Sequence, residues 1–174
     1  MKKIALVGLM LATSVLAGCS NSTGKSVSVS KSGFDGSKVV TIQPHGNACT
    51  SMTCTGLGAQ WSSADPQNAL LLVNVFNEIK GIVAAEINID GKVYNLQKSK
   101  EFTDFDSWTP SVRNSEQTFI VPLALIEKIT TSKRTWLRVH TTNGYLEDAV
   151  VDNGKDSKAL YALKRFMTEV NKAK

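Results

Sequence analysis

The sequence contains no G-x-S-x-G, no H-E-x-x-H and no P-loop. Their absence removes the serine-hydrolase elbow, the zinc-protease helix and the Walker-type phosphate cradle from the reading. Gly56-Leu57-Gly58 is too short to cradle a phosphate. Histidine occurs twice and cysteine three times in 174 residues, which leaves little material for a metal centre. Charge is also modest, at a formal net +5. No internal repeat is visible. Nor is there an apolar run of the roughly 20 residues that a membrane-spanning helix needs. The best apolar run, Ile4 to Val15, stops short of that length.

What that run does have is a setting. Lys2 and Lys3 precede it and Leu16, Ala17 and Gly18 follow it, giving a basic head, an apolar middle and a small-residue exit. This is the grammar of a secretory signal. An ordinary cleavage site needs no cysteine, yet here the small residues lead directly into Cys19. Leu16-Ala17-Gly18-Cys19 resembles the lipobox of bacterial lipoproteins. The resemblance covers only residues 1–19; the chain beyond them is read from its residues alone. It implies that residues 1–18 are a signal peptide and that Cys19 carries the lipid, as a thioether rather than a reactive thiol. Each buried acyl methylene contributes about 0.8 kcal/mol, so two or three acyl chains such as palmitate anchor a protein stably. By the same resemblance, Ser20 after the cysteine favours the outer membrane, with the domain in the periplasm.

Removing residues 1–18 takes Lys2 and Lys3 with it, so the net charge falls from +5 to +3 over the remaining 156 residues. A mildly basic envelope protein can sit near anionic head groups or cell-wall polymers, and nucleic acid is not an expected partner there. Residues 20–37, SNSTGKSVSVSKSGFDGS, hold seven serines and three glycines and few bulky side chains. Composition therefore makes residues 19–37 a flexible tether, with a reach of about 20–25 Å. Residues 38–174 have the size and apolar content of one globular domain.

Cys49 and Cys54 lie together in HGNACTSMTCTG, and in an oxidising compartment such a pair closes into a disulfide. Adding His45 gives H-x3-C-x4-C, but structural zinc takes four ligands and His140 is distant in sequence. No metal and no cofactor are expected.

Along the domain, Val39–Ile42 reads as a strand ending before Pro44, and Ala69–Phe76 as a central strand. In IVAAEINIDGKVYNL, Asp90-Gly91 between alternating runs predicts a hairpin pairing Ile89 with Lys92, Ile87 with Tyr94 and Ala85 with Leu96. That face is the core side, with Glu86, Asn88 and Asn95 outward. Residues 98–117 show no period and read as a long loop, whose Phe102, Phe105 and Trp108 either clamp it to the core or form a binding loop. Phe119–Val121 continues as a strand. Pro122 then opens a short helix buried through Leu123, Ile126 and Ile129. Asp156 or Ser157 caps a closing helix with Leu160, Leu163, Phe166, Met167 and Val170 inward. Hairpins rather than βαβ crossovers predict an α+β domain on a mostly antiparallel sheet, with a β-sandwich as the alternative.

The second hairpin, Thr135–Thr141 with Tyr145–Val151, carries the candidate binding face. A two-residue turn at Asn143-Gly144 sets His140 against Glu147, Arg138 against Ala149 and Trp136 against Val151. Trp136, Arg138, His140, Tyr145 and Glu147 then share one surface, suited to a sugar or, through the arginine fork, an anionic group. Glu147 in that register would favour charged His140. The opposite face holds Leu137, Val139, Leu146 and Val150 but also Asp148, a carboxylate in need of a partner. No catalytic residue is assigned. The reading is an outer-membrane lipoprotein whose periplasmic domain binds or organises an envelope protein or cell-wall component. The alternative is an envelope enzyme or inhibitor.

Overall fold

The computed structural model of the chain describes residues 26–99, 103–109 and 112–174. The lipobox, Cys19 and the first part of the serine-rich segment lie outside these residues, as do Phe102 and Pro110. In the serine-rich segment, the expected tether gives way to structure earlier than composition indicates. Strand β1 (Ser28–Lys31) pairs antiparallel with β2 (Lys38–Gly46). The turn between them is closed by Ser32 N–H to Ser37 O at 2.7 Å, with Gly36 at φ +74°. Within SVSVS the valines alternate with serines at the strand period of two, and Val27 packs on the core. Pairing with β2 thus offsets the ordering cost that composition alone does not. β2 itself runs through Pro44. A bulge between Ile42 and His45 breaks the ladder where the proline lacks an N–H.

The chain continues through β3 (Cys54–Ser62), β4 (Asn68–Phe76), β5 (Ile82–Ile89), β6 (Lys92–Asn95) and β7 (Gln97–Lys98). The β5–β6 hairpin has the expected register, and Leu96 N–H reaches Ala85 O at 3.0 Å. Asp90 and Gly91 both take positive φ, as a primed turn demands. The segment expected to be a loop at 98–117 is instead mostly strand. β8 (Asp104–Thr109) pairs antiparallel with the first half of β9 (Val112–Pro122). Its period is hidden because inward-facing Ser115 and Gln117 are polar, though both are fully buried. Ser115 Oγ accepts from Lys80 N–H at 2.8 Å and donates to Glu78 O at 3.2 Å.

Helix α1 (Leu123–Thr131) follows β9 directly, with Leu123, Leu125, Ile126 and Ile129 buried. Pro122 stands just before the helix rather than inside its first turn, because its ψ of 136° is extended; the Leu123 N–H that follows is satisfied by Gln67 O at 2.9 Å. Then come β10 (Arg134–Thr141), β11 (Gly144–Asp152), β12 (Lys155–Asp156) and α2 (Lys158–Ala173). Ser157 is the cap of α2, its hydroxyl accepting from Leu160 N–H at 3.1 Å. Leu160, Leu163, Phe166, Met167 and Val170 are buried beneath it.

Among the described residues, seven strands form one sheet in the order β1-β2-β3-β4-β9-β7, with β8 sharing the outer edge of β9. Five form the second, in the order β12-β11-β10-β5-β6. Every pairing is antiparallel. α2 lies against β2, β3 and α1. One apolar core draws on both sheets and both helices, from Trp61, Leu71 and Phe119 to Leu137 and Phe166. The α+β class read from the sequence holds, in the form of two sheets and a pair of packed helices.

The two sheets are joined near the cysteine loop. Cys49 and Cys54 form the disulfide, with Cα atoms 5.4 Å apart. Within the loop, Ala48 N–H bonds Ala149 O at 2.8 Å, so the loop is also a rung on β11. Asp148, on the inward face of β11, is only 6% exposed. Its Oδ2 accepts from the Thr55 backbone N–H at 2.7 Å and from the Thr55 hydroxyl at 2.8 Å. Asn47 Nδ2 in turn donates to that hydroxyl at 2.9 Å. The carboxylate that the inward pattern leaves in need of a partner finds it on the other sheet.

Candidate functional site

Alternation on β5, β10 and β11 sends Ala85, Ile87, Leu137, Val139 and Val150 into the core and leaves their neighbours on the open side of the five-stranded sheet. Three rows result. Val93, Asn88, Trp136 and Ala149 stand across the first, Asn95, Glu86, Arg138 and Glu147 across the second, and Ala84, His140 and Tyr145 across the third.

The hairpin register differs from the expected one. Thr141 pairs with Gly144, Arg138 with Glu147, His140 with Tyr145 and Trp136 with Ala149. Two local restraints close the turn one residue early, at Thr142-Asn143. The Thr141 hydroxyl accepts from Asn143 N–H at 3.3 Å and donates to Gly144 O at 3.2 Å, while Thr142 N–H is held by Gly81 O at 3.1 Å. The shift amounts to two residues across the pair, and an even shift preserves faces. Trp136, Arg138, His140, Tyr145 and Glu147 therefore do share a surface, but with different neighbours. A bulge between Thr135 and Trp136 then sets Thr135, not Trp136, opposite Val151.

Arg138 is the hub of that surface. Its Nε donates to Glu147 Oε1, and its Nη1 lies 3.5 Å from Glu86 Oε2. The hydrogen bond donated to Glu147, together with that residue's charge and the weaker field of Glu86, holds the guanidinium pKa above its usual value. His140 Nε2 lies 3.3 Å from Glu86 Oε1, so its carboxylate neighbour is Glu86 and not Glu147. The guanidinium of Arg138 also sits 5.3 Å from the Tyr145 ring centre, and that of Arg134 sits 5.5 Å from the Trp136 ring. Arg134 Nε is 3.5 Å from Asp152. The fork that would grip an anionic ligand is thus occupied by the protein's own carboxylates. Two arginines face three carboxylates, and the surface carries no excess of positive charge.

Between these rows lies an open hollow of about 370 Å³, bordered by Glu86, Asn88, Val93, Trp136, Arg138 and Glu147 among others. No protein-family model, no curated protein and no solved structure matches this chain. The site is therefore read from its own geometry. Of the sequence candidates, Trp136, Arg138 and Glu147 border the hollow, while His140 and the 62% exposed Tyr145 flank it in the next row. Glu86, Asn88, Val93 and Arg134 were not among the candidates. The outward position of Glu86 and Asn88 on β5 is legible in the alternation, but the pairing of β5 with β10 is not.

The sulfurs of Cys49 and Cys54 are both spent on the disulfide. His45 is buried, with Nδ1 2.7 Å from Gln43 O. Among the described residues, no three of His, Cys, Asp or Glu are grouped to hold a metal ion.

Proposed function

We propose that the protein is an outer-membrane lipoprotein, acylated at Cys19, whose periplasmic domain is a binding module for an uncharged, polyhydroxylated component of the cell wall. The open face of β5, β10 and β11 is the binding surface. The observation that carries this reading is the neutralisation of Arg138 by Glu147 and Glu86 beside an indole-walled hollow. A face whose charges cancel one another gains little from an ionic ligand. It still offers fixed donors on Asn88, Arg134 and Arg138, fixed acceptors on Glu86 and Glu147, and the aromatic edge of Trp136. That combination suits hydroxyl groups on a partly apolar ring. The lipid assignment is supported by Leu16-Ala17-Gly18-Cys19 after a basic and apolar leader.

Two measurements test the two halves separately. Cells fed labelled palmitate are expected to incorporate it into the wild-type chain and not into Cys19→Ser; equal labelling of both would overturn the lipid reading. In cosedimentation with insoluble cell-wall glycan, Trp136→Ala is expected to weaken binding about fivefold, the scale of one aromatic contact. Binding of the wild type should change little as salt is raised, because the surface charges are already paired. Full retention by Trp136→Ala, or loss of wild-type binding with salt, would sink the glycan reading.

A further inference from the structure

A second concavity lies away from that face, where the chain crosses from β6 to β7 beside β9 and α1. It has a volume of about 310 Å³, with apolar walls from Leu96, Ile120, Val121, Pro122 and Leu125. Leu96 and Tyr94 pack their inner sides on the core, while Ile120 remains 44% exposed. Among the described residues, no acidic side chain lines it. Lys128, on α1, does, and its Nζ stands 5.7 Å from the centre of the Tyr94 ring; Lys92 Nζ stands 5.2 Å from the same ring. Among the described residues neither lysine forms an ion pair. The contrast with Arg138 is direct. One site neutralises its cation internally; at the other, Lys128 lines the hollow and shares the Tyr94 ring with Lys92, and neither is matched by a carboxylate among the described residues.

We propose that this hollow binds a free single-chain amphiphile with a carboxylate head, its tail against Leu96, Ile120 and Leu125 and its head at Lys128, with Lys92 adding to the positive field over Tyr94. Apolar surface gives such a ligand its affinity, because lysine to carboxylate pairs open to water contribute little each. The lysines give it sign: they favour an anionic head and disfavour a cationic one. A single chain fits better than a bilayer, since the apolar surface is recessed between a strand and a helix rather than raised. The volume lies at the lower end for small-ligand sites, which suits a tail of medium length.

The test uses the full chain with Cys19→Ser, so that no acyl group of its own competes, and titrates it with decanoate, decanol and decyltrimethylammonium by calorimetry. Decanoate is expected to bind at one saturable site. The Lys92→Gln, Lys128→Gln double variant should weaken it about tenfold, as the loss of one partly exposed ion pair and of the second lysine's field implies. Trp136→Ala, on the other face, should leave it unchanged. Ile120→Asp should abolish it while the circular dichroism spectrum stays that of the parent. Decanol or the cationic analogue binding as tightly as decanoate would overturn the proposal. So would an unaffected double-lysine variant, an absence of saturable binding, or binding seen only with anionic vesicles.

Discussion

Asp148→Ala is expected to lower the unfolding free energy by about 3 kcal/mol, read as a shift of the urea midpoint at unchanged slope. The carboxylate accepts two hydrogen bonds from Thr55 and is almost wholly buried. Its removal leaves a backbone N–H and a hydroxyl on β3 without their acceptor, in a place water does not reach. Each such orphan costs about 1–3 kcal/mol. The effect also spans the two sheets, since Asp148 belongs to β11 and Thr55 to β3. Asp148→Asn keeps one carbonyl oxygen in place and should recover most of the loss. That pair of variants separates hydrogen bonding from charge. A loss below about 1 kcal/mol for alanine would show that the joint between the sheets is made elsewhere.

Gly58→Ala is expected to cost about 3 kcal/mol, at the upper end for overpacking by one methyl group. A Cβ on Gly58 would lie 2.5 Å from Ile42 O, 2.6 Å from Pro44 N and 2.8 Å from Gln43 C. All three are backbone atoms of the β2 bulge, so no side chain can swing aside to make room. Gly33→Ala is the control, because nothing lies within 4 Å of its Cβ position; it should change stability by no more than about 0.5 kcal/mol. Equal melting of the two variants would mean that the bulge can lift off β3 at little cost.

The glycines of β3 also explain why that strand was not legible. Gly56 and Gly58 in CTGLGAQWS interrupt the apolar pattern by which a strand is read, whereas each is there for close approach. The Phe76 ring lies across Gly56, with His45 O 2.6 Å from its Cβ position, and the bulge lies across Gly58. Neither contact is local in sequence. β8 and the first half of β9 were hidden by a related cause: the inward positions Ser115 and Gln117 are polar, Ser115 being satisfied by the distant Lys80 N–H and Glu78 O, so no apolar period marks them. In two places the local signal sufficed. Asp90-Gly91 set the register of one hairpin, and the apolar stripe of α2 with its Ser157 cap set the last helix.

The same division runs through the binding face. That Trp136, Arg138, His140, Tyr145 and Glu147 share a side follows from alternation alone, and an even slip in register cannot move them off it. Which of them touch does not follow, because the Thr141 hydroxyl and the Thr142 to Gly81 bond decide where the turn closes. Glu86 is the decisive addition. It stands 52 residues from Arg138 in sequence and beside it in the sheet, a β5–β10 pairing that no hairpin signal announces.

β10 divides its residues between two duties. Leu137 and Val139 are fully buried, while Arg134, Trp136, Arg138 and His140 stand on the other side of the same strand. Because adjoining positions answer to opposite surfaces, the four outward ones can be exchanged with little disturbance to the interior. A lineage could retarget this face by drift along a single central strand and inherit the rest of the fold unchanged.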